Sequence, residues 1–536
     1  MPILRVNDFS GGLNTFQAQN LIADNQSPAL RNCRWNRSGG LNKRLGTLRY
    51  TIPGASMTND NTGLIAAAAY RFNPMGGATD PSSDQVLIAS ATEVVRSTDL
   101  STFTSVFTGM TSQERFIHFI VLNNKVYIFN DTSDSVRTID NTNGTSTVAA
   151  IPNGRYPIYH KGYLFVWGNS NTNLNRLAWS SLNTPETWPA TNLETLDAND
   201  GNSAAGGISF RDELLLFKTP SVAGGYQRTK LYRVLGSVFD PTNPTYEIET
   251  IPLPENLSLL DGKTVRVFNG GVMFMTNLGF YFYEGGGRTP VRVSDQLGYN
   301  TNFERINGNV GRSAIVFNDN YYCSSGQEVQ TYQGITLANY RVFVIDKNFK
   351  VVQDYVDPGS DSNIGSTTGG GAARDWFLLN SDLYSLSPVS AADGDPPHLV
   401  RRYQIGPPQA SPESPIFTDN QDDNTTGYIN LSYTTKEFDF GKEVDFKYCY
   451  VHLKRQSSGT MTFGVNVNQR GENTSSIDMT TPDTGTAENS SSNILKKQVN
   501  IGRMGRTIQF RVHDRGDNDV EIYSIELHYA DTENYS

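Results

Sequence analysis

The chain has 536 residues and a net charge of −10; 18% of its residues are charged, 11% are aromatic and 48 are Gly. This length supports a large core and more than one domain, and the Gly and aromatic content suits a turn-rich β protein better than a helical one. The acidic balance repels a phosphate backbone, so tight duplex binding would need a segregated basic patch. Cys33, Cys323 and Cys449 lie far apart with no CxxC, which argues against a disulfide framework or a zinc site and fits a reducing compartment. The start, MPILRVNDF, lacks the basic region and apolar run of a signal peptide. No apolar stretch approaches about 18 residues, so no membrane insertion is expected.

Residues 8–47 form a distinctive leading segment. The word GGLN occurs at Gly11–Asn14 and again at Gly39–Asn42, and after Asp24 the segment holds Arg31, Arg34, Arg37, Lys43 and Arg44 with no acid. These five cations are the candidate partner-interface residues, because Arg forks and Lys pair with carboxylates on an acidic partner; the competing reading is salt bridges to the protein's own surface. A short helix is predicted around Ser27–Arg34, with Ser27 as cap and Pro28 at the first helical position.

A series of hairpins follows. FIHFIVL-NNK-VYIF starts at Phe116, YPIY-HKG-YLFVW at Tyr156, ISF-RDE-LLLF at Ile208, VRVF-NGG-VMFM then FYFY at Val265, and AIVF-NDN-YYC at Ala314. A weaker copy starts at Ala372, and a first copy lies in GLIAAAAYRF and QVLIASATEVVRS. Asn, Gly and Asp between apolar runs mark tight hairpin turns. The copies recur at roughly 37 to 61 residues, the range of propeller blades. The expected fold is therefore all-β: a propeller of six or seven blades over 56–423, behind an extended N-terminal clamp over 1–55. Two or three separate β-sandwiches are the alternative. Breaker clusters between Gly359 and Asn424 precede a boundary near Asp423. Beyond it, at least five alternating strands over 424–536 suggest a β-sandwich.

Motifs for catalysis are sparse. GKT at Gly262–Thr264 would need Gly at 257 to be a phosphate loop, and that residue is Leu257. His118, in a strand, and His160, in a turn, read as structural. Asp422 and Asp423 match no calcium loop and read as a solvated linker, so no metal or cofactor is assigned. RSTDLSTFT at 96–104 loosely resembles the Asp-box turn of sialidase-type propellers. No GxSxG is present, and the chain is expected not to be an enzyme.

The leading segment resembles the N-terminus of nozzle, or tail-hub, proteins of short-tailed bacteriophages. Gly39, Gly40, Leu41, Lys43, Arg44 and Gly46 match that family's Gly-Leu-x-Lys-Arg-x-Gly word, with Leu45 where the family often has Pro. RLAWSSLNTPETWP at 176–189 and NIGRMGRTIQFRVHDRGDNDVEIYSIELHY near the C-terminus are similar to further stretches of the group. The resemblance implies a homohexameric tail ring below the portal adaptor, bearing tail fibres or spikes and a plug or needle, with genomic DNA leaving through it. It implies assembly in the host cytoplasm and residence in the virion, with no catalytic residues to carry over. The alternatives are a carbohydrate-active or carbohydrate-binding propeller and a tail fibre or spike subunit.

Overall fold

The computed structural model describes all residues except 37, 52–65, 72–83, 90–92, 112–116, 124, 132–133, 141–143, 170–173, 199, 221–228, 240–244, 298–311, 333–334, 357–372, 374, 389–397, 404–428, 430, 484–492, 515, 517 and 533–536. Five strands come first: β1 (Ile3–Val6), β2 (Ala29–Arg31), β3 (Cys33–Trp35), β4 (Leu41–Lys43) and β5 (Thr47–Thr51). The predicted helix at Ser27–Arg34 is instead a bend followed by strand β2 and the start of β3. The Ser27 hydroxyl bridges two carbonyls, those of Ala29 and Thr434, each at 2.7 Å, and this holds the backbone extended against a distant strand.

Seven four-stranded antiparallel sheets follow among the described residues. Blade 1 is β6 (Ala66–Arg71), β7 (Asp84–Ala89), β8 (Val94–Ser97) and β9 (Thr104–Phe107). Blade 2 is β10 (Ile117–Leu122), β11 (Lys125–Asn130), β12 (Arg137–Asp140) and β13 (Thr145–Thr147). Blade 3 is β14 (Tyr156–His160), β15 (Tyr163–Trp167), β16 (Arg176–Trp179) and β17 (Leu193–Thr195). Blade 4 is β18 (Asn202–Phe210), β19 (Glu213–Pro220), β20 (Lys230–Leu235) and β21 (Glu247–Ile251). Blade 5 is β22 (Arg266–Phe268), β23 (Gly271–Thr276), β24 (Gly279–Tyr283) and β25 (Val291–Arg292). Blade 6 is β26 (Ser313–Phe317), β27 (Asn320–Tyr332), β28 (Ile335–Asp346) and β29 (Val351–Val356). Blade 7 is β30 (Asp375–Leu379), β31 (Asp382–Pro388) and β32 (His398–Tyr403), completed by β5 from the other end of the chain. The body is thus a seven-bladed propeller, and all seven expected hairpins are its blades.

The hairpins form where the sequence placed turn residues. Asn269 and Gly270 stand at φ 48° and 77°, Asn318 and Asp319 at 49° and 59°, and Asn380 and Ser381 at 51° and 68°. Two successive positive φ angles are what a tight I′ hairpin turn requires. Between blades the apolar faces meet: Phe217 of blade 4 packs on Phe274 of blade 5 at 5.0 Å between ring centroids.

The C-terminal domain contains β33 (Leu431–Thr434), β34 (Phe438–Lys454), β35 (Thr460–Val467), β36 (Glu472–Asp478), β37 (Ile494–Asp514) and β38 (Glu521–Asp531). It is a separate β domain, as expected, but all its strands belong to one ten-stranded sheet, and four of the ten come from the N-terminus. β1 pairs with β38, β2 with β33, and the β3–β4 hairpin with β38. The leading segment is therefore not a clamp outside the domains. Its first strands complete the C-terminal sheet and β5 closes the propeller. Between β1 and β2, Gly12 stands at φ 80°, where a Cβ would lie 2.7 Å from the Val351 carbonyl oxygen of blade 6. The next amide, on Leu13, donates to that same oxygen at 3.0 Å. One apolar core consequently runs from Phe463 and Phe510 of the C-terminal sheet through Phe9 and Leu13 to Phe280 and Phe343 of blades 5 and 6.

A buried ion pair pins this junction. Lys43 Nζ lies 2.7 Å from Asp514 Oδ2, with side chains 0% and 1% exposed, and it also donates to the Gly516 carbonyl. Removing one partner would leave the other charge buried and unpaired, at a cost of about 3–5 kcal/mol. We therefore expect Lys43→Ala to lower the urea midpoint sharply. Lys43→Met combined with Asp514→Leu should recover most of the loss, whereas an unchanged midpoint in the single variant would show that the pair does not hold the junction.

Candidate functional site

The first strand of each blade is its innermost: β10, β14, β18, β22, β26, β30 and β6 succeed one another around the ring. A polar cavity of about 260 Å³ lies on this axis and is lined from blades 2, 3, 4, 5 and 7. Its chemistry comes from His118 on β10, Tyr156 on β14, Lys263 and Arg266 at the start of blade 5, and Asp375 and Trp376 on β30.

Local structure fixes these groups. The GKT stretch is a 3-10 turn capped by Asp261, whose carboxylate accepts the Lys263 amide at 2.9 Å. Burial raises the Asp261 carboxyl above the usual carboxylate range. The Tyr321 hydroxyl donates to the Thr264 carbonyl at 2.6 Å and anchors the turn to blade 6. Lys263 Nζ then reaches Asp375 Oδ2 across the cavity at 3.4 Å, with side chains 8% and 11% exposed. Trp376 is held by its indole N–H, which donates to the Ser313 carbonyl at 3.3 Å.

Two groups are left with spare capacity. Arg266 donates from Nη1 to the carbonyl of its own neighbour Val265 at 2.9 Å, and no carboxylate among the described residues lies within ion-pair distance of it. His118 packs beside Tyr156 at 5.2 Å between ring centroids. Its Nε2 is buried without a hydrogen-bond partner among the described residues. Burial, reinforced by the charges of Lys263 and Arg266, pushes the His118 pKa down to about 3. A neutral imidazole this weakly basic is a poor proton acceptor near pH 7 but a competent hydrogen-bond partner. The arrangement brings together fixed donors, one carboxylate and aromatic side chains.

The four described cations of the leading segment, Arg31, Arg34, Lys43 and Arg44, do not form a site. Lys43 and Arg44 are buried, the latter donating to Asn32 Oδ1 at 2.9 Å and to the Leu45 carbonyl at 3.0 Å. Both are internal struts and are withdrawn as docking residues. Arg34 is partly buried and bonds the Lys43 carbonyl at 3.1 Å, Arg31 is exposed at the end of β2, and Arg37 lies outside the described residues, as do Asp422 and Asp423. The Asp99 turn between β8 and β9 is a closed structural loop. Its carboxylate accepts the Ser101 and Thr102 amides at 2.9 and 2.8 Å, which holds its pKa far below the usual range.

Sequence reasoning missed the axial residues, having set aside GKT and read His118 as structural. The available signal was positional: each is a polar or aromatic side chain on, or just before, the first strand of a repeat.

No family model matches the chain, and no curated protein matches it. Solved structures of similar fold include virginiamycin B lyase from Staphylococcus aureus, at 12% identity over 68% of this chain and 99% of that one, TM-score 0.40. An exo-beta-1,3-galactanase from Phanerochaete chrysosporium is similar at 10% identity over 91% of this chain and 100% of that one, TM-score 0.25. Trypanosoma rangeli sialidase is similar at 10% identity over 98% of this chain and 96% of that one, TM-score 0.31. All three are enzymes and none is a virion protein. The expectation that the chain is not an enzyme is therefore corrected: missing catalytic motifs do not exclude catalysis on a fold that carries such neighbours. At these identities the likeness transfers no activity to this chain.

The axis also imposes a pH dependence. His118, at about 3, and His160, at about 4, are both depressed by burial, while an unfolded chain takes up these protons near pH 6.5. The unfolded state then binds more protons below that pH, so stability falls as pH drops from about 6.5 toward 4. We expect the urea midpoint to fall between pH 7 and pH 5 in the wild type and less steeply in His118→Phe. Parallel slopes would show that the His118 ring is not enclosed as described.

Proposed function

We propose that the chain is a structural subunit of a short-tailed phage tail, the nozzle or hub ring that joins the portal adaptor to the distal tail and passes DNA at ejection. The observation that carries this reading is the physical use made of the resembling N-terminal word. Gly39 stands at φ 84°, with Asp8 Oδ1 only 2.8 Å from where a Cβ would be; Leu41 is 0% exposed; Lys43 and Arg44 are buried struts. These identities are what the junction between propeller and C-terminal sheet demands, so a shared word supports a shared junction. In this reading six copies form the ring, with the adaptor above, fibres or spikes and a plug as further partners, and a place in the virion after assembly in the host cytoplasm. Native mass measurement with particle imaging tests it. A sixfold ring is expected, a trimer would favour a fibre or spike subunit, and a monomer at every concentration would overturn the proposal.

A second reading, a carbohydrate-binding or carbohydrate-active propeller, is favoured by the axial cavity, whose lining includes the aromatic residues Trp376 and Tyr156 beside the polar groups Lys263 and Asp375. Sites of this composition suit ligands with one apolar and one polar aspect. Retention on a glycan array, or release of reducing ends from an oligosaccharide, would support it. Neither response would remove it.

A further inference from the structure

We propose that the axial cavity binds a small carboxylate-bearing ligand, with Arg266 as its ion-pair partner and His118 Nε2 as a second hydrogen-bond contact. This goes beyond the nozzle reading and, for a sugar acid, deepens the carbohydrate reading on which that part rests.

The argument is one of charge balance. Lys263 and Asp375 face each other at 3.4 Å and offset one another. Asp261 lies behind the 3-10 turn with its carboxylate engaged by the Lys263 amide. Arg266 adds a second positive charge on the cavity wall without a carboxylate partner among the described residues. A guanidinium presents a planar fork of donors that matches a carboxylate. In a confined site its attraction for an anion is stronger than at an open surface, since less solvent screens it.

His118 supplies an independent observation. A buried polar atom without a partner is costly and rare, and among the described residues the Nε2 of His118, a residue that lines this cavity, is such an atom. With the proton on Nε2 the neutral ring donates to a carboxylate oxygen. With the proton on Nδ1 it accepts from a ligand hydroxyl. Tyr156, whose ring is tilted 53° against that of His118, and Trp376 line the space where the ligand's carbon skeleton would sit. About 260 Å³ admits a molecule the size of one sugar ring.

Titration calorimetry of the full chain with glucuronate, glucose and citrate tests this. Glucuronate should bind measurably. Arg266→Gln should weaken it at least about tenfold, the loss expected for one charged hydrogen-bonding contact, and His118→Phe should weaken it less. Arg288→Gln, at a surface arginine paired with Glu284, should leave it unchanged. Both site variants should keep the wild-type circular dichroism spectrum. Citrate binding without a preference for glucuronate would keep the anion site and remove the carbohydrate reading. Glucose binding equal to glucuronate, insensitive to Arg266→Gln, would keep the carbohydrate reading and overturn the anion site. No heat with any of the three would overturn both.

Discussion

A propeller blade has two apolar faces and is stable only when both are covered, so the ring must close. Here closure depends on one pairing: β5, from residues 47–51, lies beside β32, with Thr47 opposite Tyr403 and Thr51 opposite Leu399. The strands just before β5 are woven into the C-terminal sheet. The strand that seals the propeller is therefore continuous with the strands that complete the second domain. The Val351 contact at Gly12 and Leu13 ties the segment between β1 and β2 to blade 6. Two domains that could in principle have been joined by a flexible linker are cross-braced instead, and their cores merge around Phe9 and Leu13.

Charge is handled differently at the junction and on the axis. At the junction, Lys43 meets Asp514 and Arg44 meets Asn32, so buried cations are matched and the segment becomes rigid. On the axis, the Lys263–Asp375 pair is matched, but among the described residues Arg266 has no carboxylate partner and the Nε2 of His118 no hydrogen-bond partner. Matched groups stabilise a structure; unmatched groups in a cavity are what a ligand can complete. This contrast separates the structural cations from those that define a site.

Much of the fold was legible because its determinants are local. Asn-Gly, Asn-Asp and Asn-Ser sit between apolar runs, and a hairpin is decided within about ten residues. The destination of the leading segment was not legible, because its partners are remote: Lys43 and Asp514 are 471 positions apart. A run of cations without nearby acids looks like exposed surface, since Lys and Arg are rarely buried unless paired. The helix expected at Ser27–Arg34 failed for the same reason. A local cap pattern lost to pairing with Leu431–Thr434. The axial groups were hidden because a single His or Arg in an apolar strand reads as a break in the pattern, and only the closed ring brings His118, Arg266 and Asp375 to one place.

The pairing of β5 with β32 also has a temporal side. About 350 residues separate the two strands, and ribosomes add roughly 5–20 residues per second. For roughly 20 to 70 s of synthesis, the strand that seals the ring therefore has no partner, and the last blade cannot form. β1 waits longer still, because its partner β38 spans Glu521–Asp531. The seam of the propeller can therefore close before the sheet of the second domain is complete.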